Sequence, residues 1–188
     1  MSILPIFIPH AGCPHQCVFC NQKTISGQKL AAVAAAKEQL ARWRSWLRPS
    51  VANEAAFYGG SFTGLPLELQ EELLALTDAL LAEGFIGSVR LSTRPDYIDE
   101  ERLQLLQQHG VRLVELGVQS LDDRVLAAAE RGHTAAQVAP AVALLKRFGF
   151  QVGLQLMVGM PQQSFASVQE TVRKAIEMHP DVARIYPL

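Results

Sequence analysis

Short runs of apolar residues alternate along the chain with longer segments in which apolar residues recur every three or four positions. The first pattern is typical of buried strands, and the second of helices that place one face on a core. The predicted strands are residues 3–9, 54–58, 88–92, 112–118, 151–158 and 182–186. The predicted helices are residues 30–47, 67–81, 99–109, 121–129, 135–148 and 165–178.

This order of elements predicts a parallel sheet, because strands separated by helices pair through right-handed crossovers. The pattern allows two closures, an open doubly wound sheet and a β/α barrel, and both place ligands at the carboxyl ends of the strands. No linker divides the chain, and it stops almost on the last predicted strand. We therefore expect one domain over residues 1–188 that is truncated at its carboxyl end.

The composition is that of a folded globular protein, with 49% hydrophobic and 19% charged residues. A net charge of −1 gives a nucleic-acid partner no global electrostatic support, although it does not exclude one. No apolar run is long enough to span a membrane, and the first residues lack a basic leader. We expect a cytoplasmic protein with no membrane partner.

Three cysteines, Cys13, Cys17 and Cys20, form a C-x3-C-x2-C motif after the first predicted strand. An odd, tightly grouped set is a poor disulfide framework and is more typical of a metal site. Thiolates ligate iron–sulfur clusters, and three ligands leave one iron of a cubane open. A zinc-stabilised binding module is the alternative, with His10 or His15 as a fourth ligand, although structural zinc sites usually use C-x2-C pairs.

Glycines and polar residues follow the later predicted strands, at the edge where the cysteines also lie. Because the carboxyl ends of parallel strands share one edge, we expect these residues to converge on one site. Glycine would let the backbone approach a ligand closely there. The residues in these positions are Gly59, Gly60, Ser61, Arg94, Gln119 and Gly159.

The cysteine motif, with Phe19 before its last cysteine, resembles the C-x3-C-x-aromatic-C signature of the radical S-adenosylmethionine (SAM) superfamily. Five further phrases resemble the branch that contains the catalytic subunit of Elongator and the oxygen-independent coproporphyrinogen oxidases. They are YGGSFT at 58–63, TRPD at 93–96, GVQS at 117–120, RGHT at 131–134 and VGMP at 158–161. The resemblance extends from Ile6 to Leu188, and the order and spacing of the phrases make it specific.

The resemblance implies a partial (β/α)6 TIM-like barrel of parallel strands that forms a radical SAM core. It implies a [4Fe–4S] cluster on Cys13, Cys17 and Cys20, with SAM chelated by the open iron. An external one-electron donor would reduce the cluster, and SAM would be cleaved to a 5′-deoxyadenosyl radical that abstracts hydrogen from a substrate. The residues implied to contact SAM are Phe19, Gly59, Gly60, Ser61, Arg94, Gln119, Arg131, Gln155 and Gly159.

Three of these implied contacts are more specific. The segment Gly59–Gly60 would meet the methionine amino group of SAM, and Gln119 its ribose. Arg131 would bind the SAM carboxylate, a role that suits the planar fork of a guanidinium.

Two positions depart from the coproporphyrinogen oxidase pattern. Those enzymes carry Glu where this chain has Ser92 and Asp where it has Gln155. The phrase TRPD favours the Elongator-like side, for which an RNA-related substrate is possible. A coproporphyrinogen oxidase-like enzyme remains the alternative within the superfamily.

Overall fold

The computed structural model describes residues 2–8, 12–20 and 29–188, with the backbone alone for residues 29–31. The strands are β1 (Ile3–Phe7), β2 (Glu54–Tyr58), β3 (Ser88–Thr93), β4 (Val111–Gln119), β5 (Gln151–Val158) and β6 (Val182–Pro187). The helices are α1 (Lys29–Trp46), α2 (Leu67–Ala82), α3 (Glu100–Gln108), α4 (Asp123–Ala128), α5 (Val138–Arg147) and α6 (Phe165–Glu177). None of these helices is long and apolar enough to cross a membrane.

The strands form one six-stranded parallel sheet in the order β1 to β6. In a flat sheet β2 and β6 would lie about 19 Å apart, at four strand spacings. Yet Nη2 of Arg184 on β6 donates a hydrogen bond to the hydroxyl of Tyr58 on β2, at 3.2 Å. The sheet is therefore strongly curled. This half-barrel confirms the predicted partial barrel and rules out the open doubly wound sheet.

Most predicted elements lie within two residues of the observed ones, and the differences have local causes. Asp99 caps α3 instead of belonging to it, because its carboxylate accepts a hydrogen bond from the backbone N–H of Arg102. Asp122 caps α4 in the same way. The predicted helix at 135–148 begins as a 3-10 turn at Ala135–Gln137 and continues as α5. Residue 9, the end of the first predicted strand, lies outside the described residues.

The sheet face that packs on the helices is apolar. Alternate side chains of the strands, among them Ile6, Phe57, Leu91, Leu116 and Leu154, are almost completely buried in the core. Helix α1 also covers the free edge of β1. The amide of Gln39 bonds both backbone groups of Phe7, and Nε1 of Trp43 donates to the carbonyl of Pro5 at 2.9 Å. This edge therefore offers few unpaired groups to another strand.

The inner face of the half-barrel carries a buried network of alternating charges. Arg90 donates to Glu54 at 3.1 Å and to Glu115 at 2.7 Å, and Nε of Arg184 lies 2.9 Å from Glu115. Glu115 is fully buried, and a buried carboxylate is tolerable only when it is paired. Two arginines and two glutamates balance one another, so this layer forms a neutral polar floor inside the barrel.

Candidate functional site

A cavity of about 410 Å³ lies at the carboxyl ends of the strands, above the polar floor. Nine of the residues that the sequence assigns to the site line it, which supports the expectation that the motifs converge. These nine are Cys13, Cys20, Gly59, Gly60, Ser61, Arg94, Gln119, Arg131 and Gln155. The other three predicted residues, Cys17, Phe19 and Gly159, do not line the cavity.

The cysteine loop follows β1 and closes one side of the cavity. Cys13 and Cys20 are partly buried and face the cavity, whereas Cys17 is buried behind them. The backbone N–H of Cys20 donates to the carbonyl of Cys17 at 2.9 Å, which closes a tight turn between them. The loop therefore presents sulfur atoms both at the cavity surface and just behind it.

The loop approaches the neighbouring segment so closely that a glycine is required. Gly12 has φ +79°, and a Cβ at this position would overlap the carbonyl oxygen of Ser61 and the backbone of Gly64. Neither neighbour is a flexible side chain that could move aside. The sequence analysis assigned Gly12 no role, although it directly precedes the first cysteine.

The far end of the loop is anchored on α4. The N–H of Val18 donates to the carbonyl of Ala129 at 3.2 Å, and the ring of Phe19 packs against Val125, Ala129 and Met160. The structure thus gives Phe19 a packing contact that holds the loop in place. Gly159 lies in the turn after β5, where its N–H donates to Oε1 of Gln163 at 2.7 Å.

Arg131 lines the cavity and forms no ion pair with a carboxylate of the described residues. It is 7% exposed; Nη2 donates to the carbonyl of Gly117 at 2.7 Å and Nη1 to Sγ of Cys17 at 3.6 Å. Its Nε has no hydrogen-bond partner. A Cβ at Gly117 would lie 2.8 Å from Nη2, so the glycine leaves room for the guanidinium in this position. A buried, partly unpaired guanidinium is suited to receive an anion.

Burial raises the pKa of the Cys13 thiol, and the positive charges of Arg131 and Arg94 partly oppose that rise. Burial, assisted by the charges of the same two arginines, lowers the pKa of His133 to about 4. His133 is therefore neutral at physiological pH. The region around the cysteines is accordingly electropositive, as sites that bind anionic groups are.

The end of β4 is irregular where it meets the cavity. Its pairing with β5 shifts register between Gly117 and Gln119, and Gln119 has φ +66°. Such a left-handed conformation is uncommon outside glycine and often marks a functional position. The amide of Gln119 forms no hydrogen bond with the described residues, so it is available to a ligand.

Two other predicted contacts have side chains that already bond to the protein. The hydroxyl of Ser61 lies 3.0 Å from Oγ1 of Thr93 and accepts a hydrogen bond from the backbone N–H of Arg94. Arg94 itself is paired with Asp96. Gly59, by contrast, lies directly against the cavity, with φ +96° and the ring of Phe7 only 2.8 Å from where a Cβ would stand.

The two departures from the coproporphyrinogen oxidase pattern contact each other. Nε2 of Gln155 donates to the hydroxyl of Ser92 at 3.1 Å, and that hydroxyl lies 3.4 Å from Glu115 of the polar floor. A neutral pair thus occupies this part of the cavity wall.

Sequence reasoning assigned no site role to several residues that line the cavity. Arg184 is flanked by the hydroxyls of Tyr58 and Tyr186, at 3.2 and 3.3 Å. The available signal was a charged or aromatic side chain at an inward position of a strand. The unassigned lining residues are Tyr58, Ser92, Thr93, Gly117, Arg184 and Tyr186.

The donor set of the loop is three thiolates, and soft thiolates suit an iron–sulfur cluster that binds each of them on a separate iron. Within the described residues, no group of three or more His, Cys, Asp or Glu side chains is arranged to hold a single metal ion. His10, a candidate zinc ligand, lies outside the described residues.

The chain matches the radical SAM superfamily over residues 7–175, and it belongs to that superfamily. This confirms the predicted family and, since its members are enzymes, the prediction of an enzyme.

Relatives lie in both predicted branches. The chain is 28% identical over 182 residues to an oxygen-independent coproporphyrinogen III oxidase of Synechocystis, covering 93% of this chain and 39% of the relative. It is 24% identical over 228 residues to a tRNA uridine(34) acetyltransferase of Methanocaldococcus jannaschii, covering 100% and 42%. The chain therefore spans about two fifths of the length of these relatives.

Solved structures share the fold. Coproporphyrinogen III oxidase from Escherichia coli, a radical SAM enzyme, superimposes with a TM-score of 0.75 at 22% identity, covering 99% of this chain and 44% of that one. Streptococcus suis SuiB bound to S-adenosylmethionine superimposes with a TM-score of 0.73 at 16% identity, covering 99% and 40%. These likenesses confirm the α/β radical SAM fold.

Proposed function

We propose that the chain holds a [4Fe–4S] cluster on Cys13, Cys17 and Cys20 and binds SAM in the adjoining cavity. When bound and reduced, the cluster supplies the electron that splits SAM into methionine and a 5′-deoxyadenosyl radical, which abstracts hydrogen from a substrate. The observation that carries this proposal is a three-cysteine loop beside a cavity that contains a buried arginine, for which the described part of the chain offers no carboxylate partner.

Arg131 is proposed to bind the SAM carboxylate. Its Nε is buried and unpaired, and its charge is not balanced by any described carboxylate. An incoming carboxylate would satisfy both deficits, because charge-assisted hydrogen bonds to arginine are strong. The bonds to Gly117 and Cys17 hold the guanidinium in place before the ligand arrives.

The remaining contacts come from the strand ends. Gly59 and Gly60 expose backbone groups to the cavity, where their carbonyls can accept hydrogen bonds from the SAM amino group. The unpaired amide of Gln119 can bond a ribose hydroxyl. Ser61 and Arg94, whose polar groups bond to the protein, are proposed to shape this wall, and Gln155 borders the side towards the polar floor.

The electron donor is proposed to approach the outer face of the cysteine loop. Pro14, His15, Gln16 and Val18 are exposed there, whereas Cys17 is buried within the loop. A donor that docks on these residues would come close to the cluster without entering the SAM cavity. The proposal therefore requires an external one-electron donor and leaves the cavity for SAM and substrate.

We infer that the substrate is RNA-related, because the neutral Ser92–Gln155 pair stands where the oxidase pattern has two carboxylates. The phrase TRPD is also intact, with Arg94 and Asp96 in a bidentate pair. The test is the yield of 5′-deoxyadenosine with unmodified tRNA or with coproporphyrinogen III. A rise with coproporphyrinogen III alone would contradict this inference and favour the oxidase-like alternative.

The activity itself is tested on protein purified and reconstituted without oxygen, then reduced with dithionite in the presence of SAM. We expect 5′-deoxyadenosine and methionine in equal amounts from the wild type and none from Cys17→Ala. Val51→Ala, which truncates an exposed valine outside the cysteine loop and the cavity lining, is the control and should retain cleavage. A wild type that binds a full cluster but never cleaves SAM would overturn the proposed activity.

A further inference from the structure

Arg94 and Asp96 form a bidentate ion pair beside the cavity. Nε and Nη2 of Arg94 donate to the two carboxylate oxygens of Asp96 at 2.9 and 2.7 Å. Arg94 is 2% exposed, and the Asp96 side chain is 16% exposed. The pair is therefore nearly desolvated and electrically neutral, although Arg94 lines a cavity suited to an anion.

Arg94 also holds the backbone that carries Arg131. Its Nη1 donates to the carbonyl oxygen of Arg131 at 2.7 Å, and its backbone N–H donates to the hydroxyl of Ser61. Arg94 thus ties together the segments that follow β2, β3 and α4. Among these contacts, the bond to the Arg131 carbonyl fixes the point from which the Arg131 side chain extends towards Cys17 and Gly117.

We propose that Asp96 and Arg94 are positioning residues that set Arg131 for the SAM carboxylate, an inference that rests on the proposed function. Asp96 holds Arg94 by both carboxylate oxygens and neutralises it, and Arg94 holds the Arg131 backbone. As a result, Arg131 alone of the two arginines presents an unbalanced positive charge to the ligand. Neither Asp96 nor Arg94 needs to touch SAM in this arrangement.

The alternative, in which Arg94 binds the carboxylate directly, predicts the opposite sign for one substitution. In Asp96→Asn the carboxylate becomes a neutral amide, and Arg94 becomes a second unpaired cation at the cavity. If Arg94 were a direct ligand, the variant would bind SAM as tightly as the wild type or more tightly. If Arg94 positions Arg131, losing its anchor lets the Arg131 backbone shift, and SAM binds more weakly.

The experiment measures SAM dissociation constants by equilibrium dialysis on the cluster-loaded protein without oxygen. We expect Asp96→Asn to weaken binding by about tenfold, as for the loss of one charge-assisted hydrogen bond. In an Arg131→Gln background the same substitution should have little further effect, because the two residues act through one contact. Glu170→Gln is the matched control, since Glu170 forms a bidentate pair with Arg173 on the exposed surface of α6.

Unchanged or tighter SAM binding in Asp96→Asn, or full additivity with Arg131→Gln, would overturn the inference. A wild type that does not bind SAM would instead overturn the proposed function itself. Removing Asp96 leaves a buried cation, so thermal unfolding is recorded for each variant. If Asp96→Asn does not fold, the double variant Arg94→Met with Asp96→Asn removes both charges together and should show the same loss of about tenfold, while unchanged binding in it overturns the inference.

Discussion

Arg131 donates a hydrogen bond from Nη1 to Sγ of Cys17 across 3.6 Å, although the two residues are 114 positions apart in the chain. This bond joins the buried cysteine of the loop to the loop that follows α4. The same guanidinium carries an unpaired Nε and is the group proposed to bind the SAM carboxylate. The Arg131 side chain thus connects a proposed cluster ligand to the proposed SAM site. We therefore expect substitutions of Arg131 to change SAM binding.

Replacing Arg131 with glutamine should weaken SAM binding by about tenfold or more, because a hydrogen-bonded charge pair of roughly 1.5–3 kcal/mol is lost. Isothermal titration of the cluster-loaded protein measures the effect, with iron content determined on the same sample. Arg124→Gln, which changes an exposed arginine paired with Asp122, should leave the affinity unchanged. Equal SAM affinities for wild type and Arg131→Gln would remove Arg131 from the proposed site.

Gly12→Ala should prevent stable cluster incorporation and lower the thermal midpoint. The substitution combines a left-handed backbone, at φ +79°, with overlap against the carbonyl of Ser61. Gly149→Ala is the matched control, with φ +81° and nothing within 4 Å of the added Cβ. The control should cost roughly 1–2 kcal/mol of stability, for the left-handed conformation alone, and leave iron content unchanged. Normal iron content in Gly12→Ala would show that the loop does not need this close approach.

Glu115→Gln should destabilise the fold strongly, because it leaves Arg90 and Arg184 without their shared buried carboxylate. We expect a loss of roughly 3–5 kcal/mol in the free energy of unfolding, measured in urea. Glu83→Gln, which breaks the exposed pair with Arg44, should cost less than about 1 kcal/mol. Similar losses for the two variants would contradict the description of the floor as a buried charge network.

The free energy of unfolding should decrease as the pH is lowered, because His133 becomes protonated more readily in the unfolded chain than in the folded one. Its pKa is about 4 in the folded chain, because burial and the charges of Arg131 and Arg94 disfavour protonation, against 6.5 for an ordinary histidine. The unfolded chain binds the proton first, so stability is full above pH 6.5 and is lost as pH falls towards 4. The contribution is about 2 kcal/mol between pH 7 and pH 5.

Urea unfolding of wild type and His133→Gln at several pH values checks this expectation. The variant has no titrating group at this position, so its stability should fall less steeply over the same range. Parallel profiles for the two proteins would show that His133 is not the group responsible.

The sequence pattern predicts the positions of all six strands well, because each is a short apolar run bounded by glycine, proline or polar residues. It does not decide how the sheet closes. The contact between Arg184 and Tyr58 that shows the curl joins strands far apart in the chain, and no local periodicity encodes it. The barrel was expected only from the resemblance to a known family.

The site was predicted less completely than the fold. Motifs at strand ends predicted Gly59 and Gln119 at the cavity, because parallel strands end at one edge, whereas Arg131 was expected there only from the resemblance to a known family. Side chains from within strands, such as Glu115 and Arg184, were not singled out. A single charge in an apolar strand does not show whether it points inward or what it pairs with.

The most direct test of the central proposal is the iron, sulfide and zinc content of the anaerobically reconstituted chain, read together with its absorption spectrum. The account predicts about four irons and four sulfides per chain. It also predicts charge-transfer absorption that disappears in Cys17→Ala. One zinc per chain with no iron would contradict the radical SAM chemistry proposed for Cys13, Cys17 and Cys20 and would favour a zinc-stabilised binding module instead.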